Sequence, residues 1–246
     1  GIVVIGGLKR IAEVATFLVP LMGSIYFGAM IVALILNLNL VLPAFKLILV
    51  DAFNGTAIAG GTFFGVLIYG VRRGAFSNEA GMGTESLVHG VAKVSNPVKQ
   101  GLVAMTGPIF DTLIICTATA LMILVSGVWE TSSSQGVTLT AEAFSNLLGN
   151  FGGLILFTCV ICFGLSTIFT YSYYGASCSR FLFGNFGMKF YIYLYIFSIF
   201  IYSIVPIDIA INIADGAFAL MAIPTLISAL WLAPKVMQAS KNYFKL

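Results

Sequence analysis

Four groups of polar residues interrupt a strongly apolar chain, and each offers definite chemistry. Ser166 and Thr167 are adjacent hydroxyls in an apolar run that starts near Phe151. They lie about 15 residues into that run, near the middle of a membrane-length helix. Such a pair supplies oxygen ligands for a hard cation such as sodium. Alternatively, the hydroxyls bond back to the preceding helical turn, as is common in membrane helices. Asp111 and Asp215 each sit inside another apolar run. A carboxylate at such depth is costly, so it marks a functional site or an acid held by neighbouring helices.

The longest polar interruption is Arg72-Arg73-Gly74-Ala75-Phe76-Ser77-Asn78-Glu79-Ala80-Gly81-Met82-Gly83, directly after the apolar run 57–71. Irregular backbone at membrane depth is tolerated only against protein or a water-filled cavity, and interrupted helices point to the transport site of secondary transporters. Arg73 and Glu79 are candidates for an inner gate or for pinning a helix. The plainer reading is a cytoplasmic helix cap, with Ser77 or Asn78 capping a helix toward Val91. In the same crossing, residues 65–70 fall near the midplane. Gly65 and Gly70 permit non-helical backbone there, which would put residues 65–70 against substrate. Close helix packing explains the glycines equally well.

Other polar residues carry less. Cys159 and Cys162 form a C-x-x-C, but one histidine and no second cysteine pair favour inert helix cysteines over a metal site. His89 reads as interfacial. Neither a G-x-x-x-x-G-K-[ST] phosphate loop nor a catalytic triad is present, so the chain does not read as an enzyme and calls for no cofactor.

These residues must be positioned by membrane helices. The chain is 59% hydrophobic and 9% charged, with a mean hydropathy of +1.04. A soluble domain carries about 25% charged residues. The apolar runs are continuous, unlike the alternating ~10-residue segments of a β-barrel. The expected fold is all-α and polytopic, with six crossings: residues 11–36, a second from near Thr56 that is interrupted, 101–126, 151–174, 190–205 and 209–232. A short amphipathic element, 43–53, suits the membrane surface, and residues 128–150 read as a polar loop. Residues 1–7 read as the end of a helix begun upstream. With six crossings, 11 of the 12 basic residues share one side and only Lys46 lies on the other. The positive-inside rule makes the basic side cytoplasmic and places the C-terminus there. Without a separate basic domain, nucleic acid is not an expected partner.

At this point several motifs, taken together, resemble the sodium:alanine (alanine or glycine:cation) symporter family. They are Gly74-Ala75-Phe76-Ser77-Asn78-Glu79-Ala80-Gly81-Met82-Gly83 with His89; Asn96-Pro97-Val98-Lys99-Gln100-Gly101; Asp111-Thr112; Ser166-Thr167 with Ser172-Tyr173-Tyr174-Gly175; and Ile213-Ala214-Asp215. The resemblance covers essentially the whole chain. It implies a leucine-transporter type of fold, two inverted five-helix repeats around a midplane site, and sodium-coupled uptake of alanine or glycine across the plasma (inner) membrane. Within that fold the chain resembles the C-terminal half. Residues 1–37 would end the first repeat and 38–246 form the second, so the N-terminal half becomes an expected partner beside the lipid bilayer.

Carried over residue by residue, Ser166 and Thr167 match the family's sodium hydroxyls. Gly65, Leu67 and Gly70 match its substrate-facing stretch. Beside these, Phe163 and Tyr171 are candidates for the substrate wall, and Arg73, Ser77, Asn78, Glu79, Asp111 and Asp215 for gating or polar support. Two departures stand out. Thr170-Tyr171 replaces the family's usual Gly-Trp, and Thr84-Glu85-Ser86 replaces its usual Ser-Ala-Pro. The first reshapes a substrate-facing wall; the second adds a charge beside the inner gate. The rival readings are a passive channel and a non-transporting membrane subunit, and the 246-residue chain alone is expected not to transport.

Overall fold

The computed structural model describes residue 4 and residues 7–53 and 62–244, and among these the secondary structure is entirely helical. The expected entry of the second crossing near Thr56, most of the 1–7 helix end and Lys245 lie outside the described residues. The chain forms two compact units, Gly1–Gly70 with Thr112–Tyr173, and Val71–Asp111 with Tyr174–Leu246.

Among the described residues, four stretches are long and apolar enough to cross a membrane: Glu13–Leu36, Pro97–Ser126, Asn150–Tyr202 and Ile209–Phe244. Their large apolar side chains are mostly exposed, Phe181 at 89% and Trp231 at 79% among them. Lipid solvates such surface as well as a protein interior does, so helix association rests on packing and polar contacts instead.

In the first unit, α1 (Gly7–Leu36) is followed after Asn37 by α2 (Leu38–Ala52). The surface element was expected from Pro43, yet the helix begins five residues earlier and holds Pro43 inside it. Its 15 residues extend about 22 Å, short of the ~30 Å hydrocarbon core. α6 (Thr117–Ser126) packs against α1, α2 and α8 (Val137–Leu148), with the single turn α7 (Val128–Thr131) between α6 and α8. Residues 128–150 are thus largely helical, not the polar loop the composition implied. The Ser-rich stretch 132–134 masked an apolar face that buries Ala143 and Phe144 completely. Phe144 stacks on Tyr26 at 5.5 Å within a core that includes Met30, Ala33, Met122 and Cys159. The Ser132 and Ser134 hydroxyls hold the Glu142 carboxyl below its usual range, Ser134 donating at 2.6 Å.

In the second unit, α3 (Thr62–Asn78) enters at Val71 and is followed by α4 (Thr84–His89). Asn96 caps α5 (Pro97–Pro108), accepting from the Val98 N–H at 2.8 Å, with Pro97 at the first helical position. The crossing therefore begins four residues before Gly101. Past Pro108 the helix widens into a π-helical stretch, Ile109–Cys116, which carries Asp111. π-Helical insertions are rare and are frequent at functional sites.

α9 (Asn150–Tyr202) has 53 residues, about 80 Å if straight, which is far beyond one bilayer. Its backbone leaves the helix at Gly184 (φ 69°, ψ −159°), a conformation that essentially requires glycine. α9 is thus two helices in series, matching the two apolar runs read there. Gly175 lets the Tyr191 ring pass where any Cβ would collide. α10 (Ile207–Phe244) continues through Pro224 and Pro234, twelve residues past the expected end at Leu232.

Candidate functional site

The polar interruption is where the structure differs most informatively from expectation. Gly65 and Gly70 lie within the regular helix α3, not at a break, and a Cβ on either would meet nothing within 4 Å. The chain breaks at residues 79–83 instead. Glu79 (φ 55°), Gly81 (φ 79°) and Gly83 (φ 86°) all adopt the left-handed region, which is uncommon for a residue such as glutamate. The turn closes through Met82 N–H to the Glu79 carbonyl at 3.1 Å and Ala80 N–H to Asn78 Oδ1 at 2.9 Å. Asn78 therefore caps the turn ending α3. The start of α4 has Gly83 as its N-cap, with no side-chain cap, so the expected Ser77 or Asn78 cap on that helix is not formed.

The helical turn before the break is fastened by acids. Asp215, only 7% exposed, accepts from Arg72 and, at 3.3 Å, from Arg73 through the same Oδ2. Phe76 meets Phe218 edge-on at 4.7 Å. A Cβ on Gly83 would lie 2.7 Å from Thr225 Oγ1. Asp215, Phe218 and Thr225 follow at helical spacings of three and seven, so they share one face of α10. Ser77 Oγ donates to Asp111 Oδ2 at 2.6 Å in the π-helical stretch. Tyr174, buried on α9, hydrogen-bonds Glu79, and Gln100 Nε2 donates to His89 Nδ1 at 2.7 Å.

Arg73, Ser77, Asn78, Glu79, Asp111 and Asp215 thus surround one break. Sequence reasoning put Arg72 in the interruption without giving it a role, and did not place Thr225 and Tyr174 there. Arg72 carried a signal, being half of an Arg-Arg pair at the end of an apolar run. Tyr174 carried none beyond its Ser-Tyr-Tyr-Gly motif and Thr225 carried none at all, because only packing brings them to residues 79–83.

In the first unit, Ser166 is buried and donates to the Phe163 carbonyl at 2.9 Å, while its own carbonyl accepts from Thr170 Oγ1 at 2.9 Å. Thr167 is exposed, as adjacent helix positions point about 100° apart. The back-bond matches the structural reading, yet it consumes only the hydroxyl proton and leaves oxygen lone pairs for a cation. Phe163 meets Tyr26 edge-on at 6.0 Å, and Tyr26 Oη pairs with Thr119 Oγ1 at 2.9 Å. Leu67 is exposed and Tyr171 half-buried. Cys159 is buried as expected, its Sγ 3.9 Å from the Met22 carbonyl, whereas Cys116 and Cys178 are exposed on their helices.

Comparison with known proteins places this arrangement in context. The model of the sodium:alanine symporter family matches residues 1–246. The chain is 36% identical over 251 residues to the uncharacterized transporter YflA of Bacillus subtilis, covering 99% of the chain and 53% of that relative. It is 35% identical over 244 residues to the sodium/alanine symporter AgcS of Methanococcus maripaludis, covering 98% and 54%. It is also 33% identical over 244 residues to the probable sodium/glutamine symporter GlnT of Bacillus subtilis, covering 99% and 51%. The chain spans about half the length of the curated relatives it matches.

Proposed function

This chain belongs to the sodium:alanine symporter family, a family of multi-pass membrane transporters and not of enzymes, and on that premise we propose that it forms the second half of a sodium-coupled symporter for a small neutral amino acid, alanine or glycine. Residues 1–37 end the first inverted repeat and 38–246 make the second, with six crossings and a cytoplasmic C-terminus. The family match over the whole chain carries this reading. The geometry adds support at Ser166, whose buried oxygen keeps lone pairs for an ion, and at the strained break of residues 79–83.

Sodium binds at Ser166 and Thr167. Gly65, Leu67, Gly70, Phe163 and Tyr171 face the amino acid. Arg73, Ser77, Asn78, Glu79, Asp111 and Asp215 form the gate that rocking helices open and close. An inward sodium gradient and the membrane potential drive uptake, one charge across 100 mV being worth about 2.3 kcal/mol.

The test is uptake of labelled alanine, glycine and glutamine by the full-length protein in proteoliposomes, with and without a sodium gradient. Alanine or glycine uptake should require sodium. Ser166→Ala should raise the half-saturating sodium concentration roughly tenfold, the worth of one polar contact to a charged group. Uptake indifferent to sodium would remove the coupling, and a preference for glutamine would reassign the substrate.

A further inference from the structure

At the basic ends of two membrane helices, α5 and α10 enclose an open cleft of about 540 Å³. Its walls are apolar, Leu102 and Met105 on one side and Leu232 and Val236 on the other, and among the described residues Lys235 is its one charged lining residue. On α5 the lining residues recur at Val98, Leu102 and Met105, and on α10 at Leu232, Val236 and Ala239, so each helix presents a single face. Pro97 opens the α5 crossing. On α10, Leu232 ends the apolar run, and Lys235 and Ser240 lie in the stretch that continues past it. Along α10 the cleft runs from Leu232 past Lys235 to Ser240, so its apolar lining carries a cation and a hydroxyl just beyond the end of the apolar run.

We propose that this cleft is a binding site for an anionic phospholipid. One acyl chain lies along Leu102, Met105, Leu232 and Val236, and the phosphate meets the Lys235 ammonium, with the Ser240 hydroxyl available as a donor. Charge complementarity selects this occupant: a cationic group among apolar walls, with no acidic residue among the described lining, suits a ligand that is apolar at one end and negative at the other. Basic pockets between membrane helices on the cytoplasmic side bind anionic headgroups by this logic. The site goes beyond the transport reading and does not depend on sodium coupling.

The test uses the full-length protein in detergent, titrated with phosphatidylglycerol or phosphatidylcholine and read by native mass spectrometry. Phosphatidylglycerol should be retained about fivefold more tightly, the contribution of one lysine near a headgroup. Lys235→Gln should erase the preference and Lys235→Arg restore it, while Lys241→Gln, which is outside the cleft, leaves it intact. Val236→Trp, which fills the cleft, should lower retention of both lipids. Equal retention of the two lipids by the unaltered protein would overturn the proposal. So would a preference that survives both Lys235→Gln and Val236→Trp, or one lost equally in Lys241→Gln, which would mark diffuse surface charge. Sodium-dependent uptake is measured on the same preparations, so that failure of the lipid site and failure of symport are read separately.

Discussion

Asp215 is one anion serving two cations, and that imbalance predicts which substitutions matter. Removing the carboxylate leaves both Arg72 and Arg73 without their shared counter-charge. Removing Arg72 leaves a neutral Arg73–Asp215 pair. Breaking a fully buried pair costs about 3–5 kcal/mol. The arginines here are roughly one-third to one-half exposed, so solvent screening reduces the expected cost of Asp215→Asn to about 2 kcal/mol. Arg72→Gln should cost well under half of that. The midpoint of thermal unfolding of the full-length protein in detergent checks the order. Equal shifts for the two variants would mean that Asp215 is not held by its charge. The same residue shows the limit of sequence reading. Its depth in an apolar run marked it, but its partners lie more than 140 positions away.

At the level of elements, the break between α3 and α4 concentrates backbone strain in five residues. Glycine relieves it at two of them, for different reasons. Gly81 needs only its positive φ, since a Cβ there would find open space. Gly83 needs both the positive φ and the room, because α10 approaches through Thr225. A left-handed conformation costs a non-glycine residue about 1–2 kcal/mol. Gly81→Ala should destabilise by that amount and Gly83→Ala by more. Adding Thr225→Ala to Gly83→Ala should bring the loss back to the Gly81→Ala level. Thermal midpoints again serve, and a Thr225→Ala change that rescues nothing would show that the close approach is unimportant. The glycines were visible in the sequence, yet spacing could not tell a packing glycine such as Gly70 from a conformational one such as Gly83. The broken residues proved to lie beyond the Gly65–Gly70 stretch because a helix tolerates glycine where nothing else disrupts it.

For the whole molecule, topology turns on Gly184. If α9 crosses the membrane twice, Gln135 and Asn242 are separated by three crossings and face opposite sides. If it crosses once, they face the same side. In the full-length protein with its native cysteines replaced, Gln135→Cys should react with an impermeant maleimide in intact cells. Asn242→Cys should react only after permeabilisation. Labelling of both from one side would remove a crossing, and the reverse pattern would invert the orientation drawn from the basic residues. The exposed apolar surface of all four long helices requires a lipid environment whichever count holds.

The amino-acid sequence by itself determined the class of the molecule, since apolar runs of membrane length and sparse charge are local or summed properties. It also determined the family, through motifs that survive as strings. Tertiary structure alone decided which groups each acid meets, the two arginines for Asp215 and the Ser77 hydroxyl for Asp111. It decided too that residues 137–148 bury Phe144 beneath a polar-looking segment, and that the helix breaks at Glu79. The physical reason is the same in each case. Hydropathy is written residue by residue, whereas a buried charge, a core contact or a strained φ is stable only through atoms supplied by distant parts of the chain.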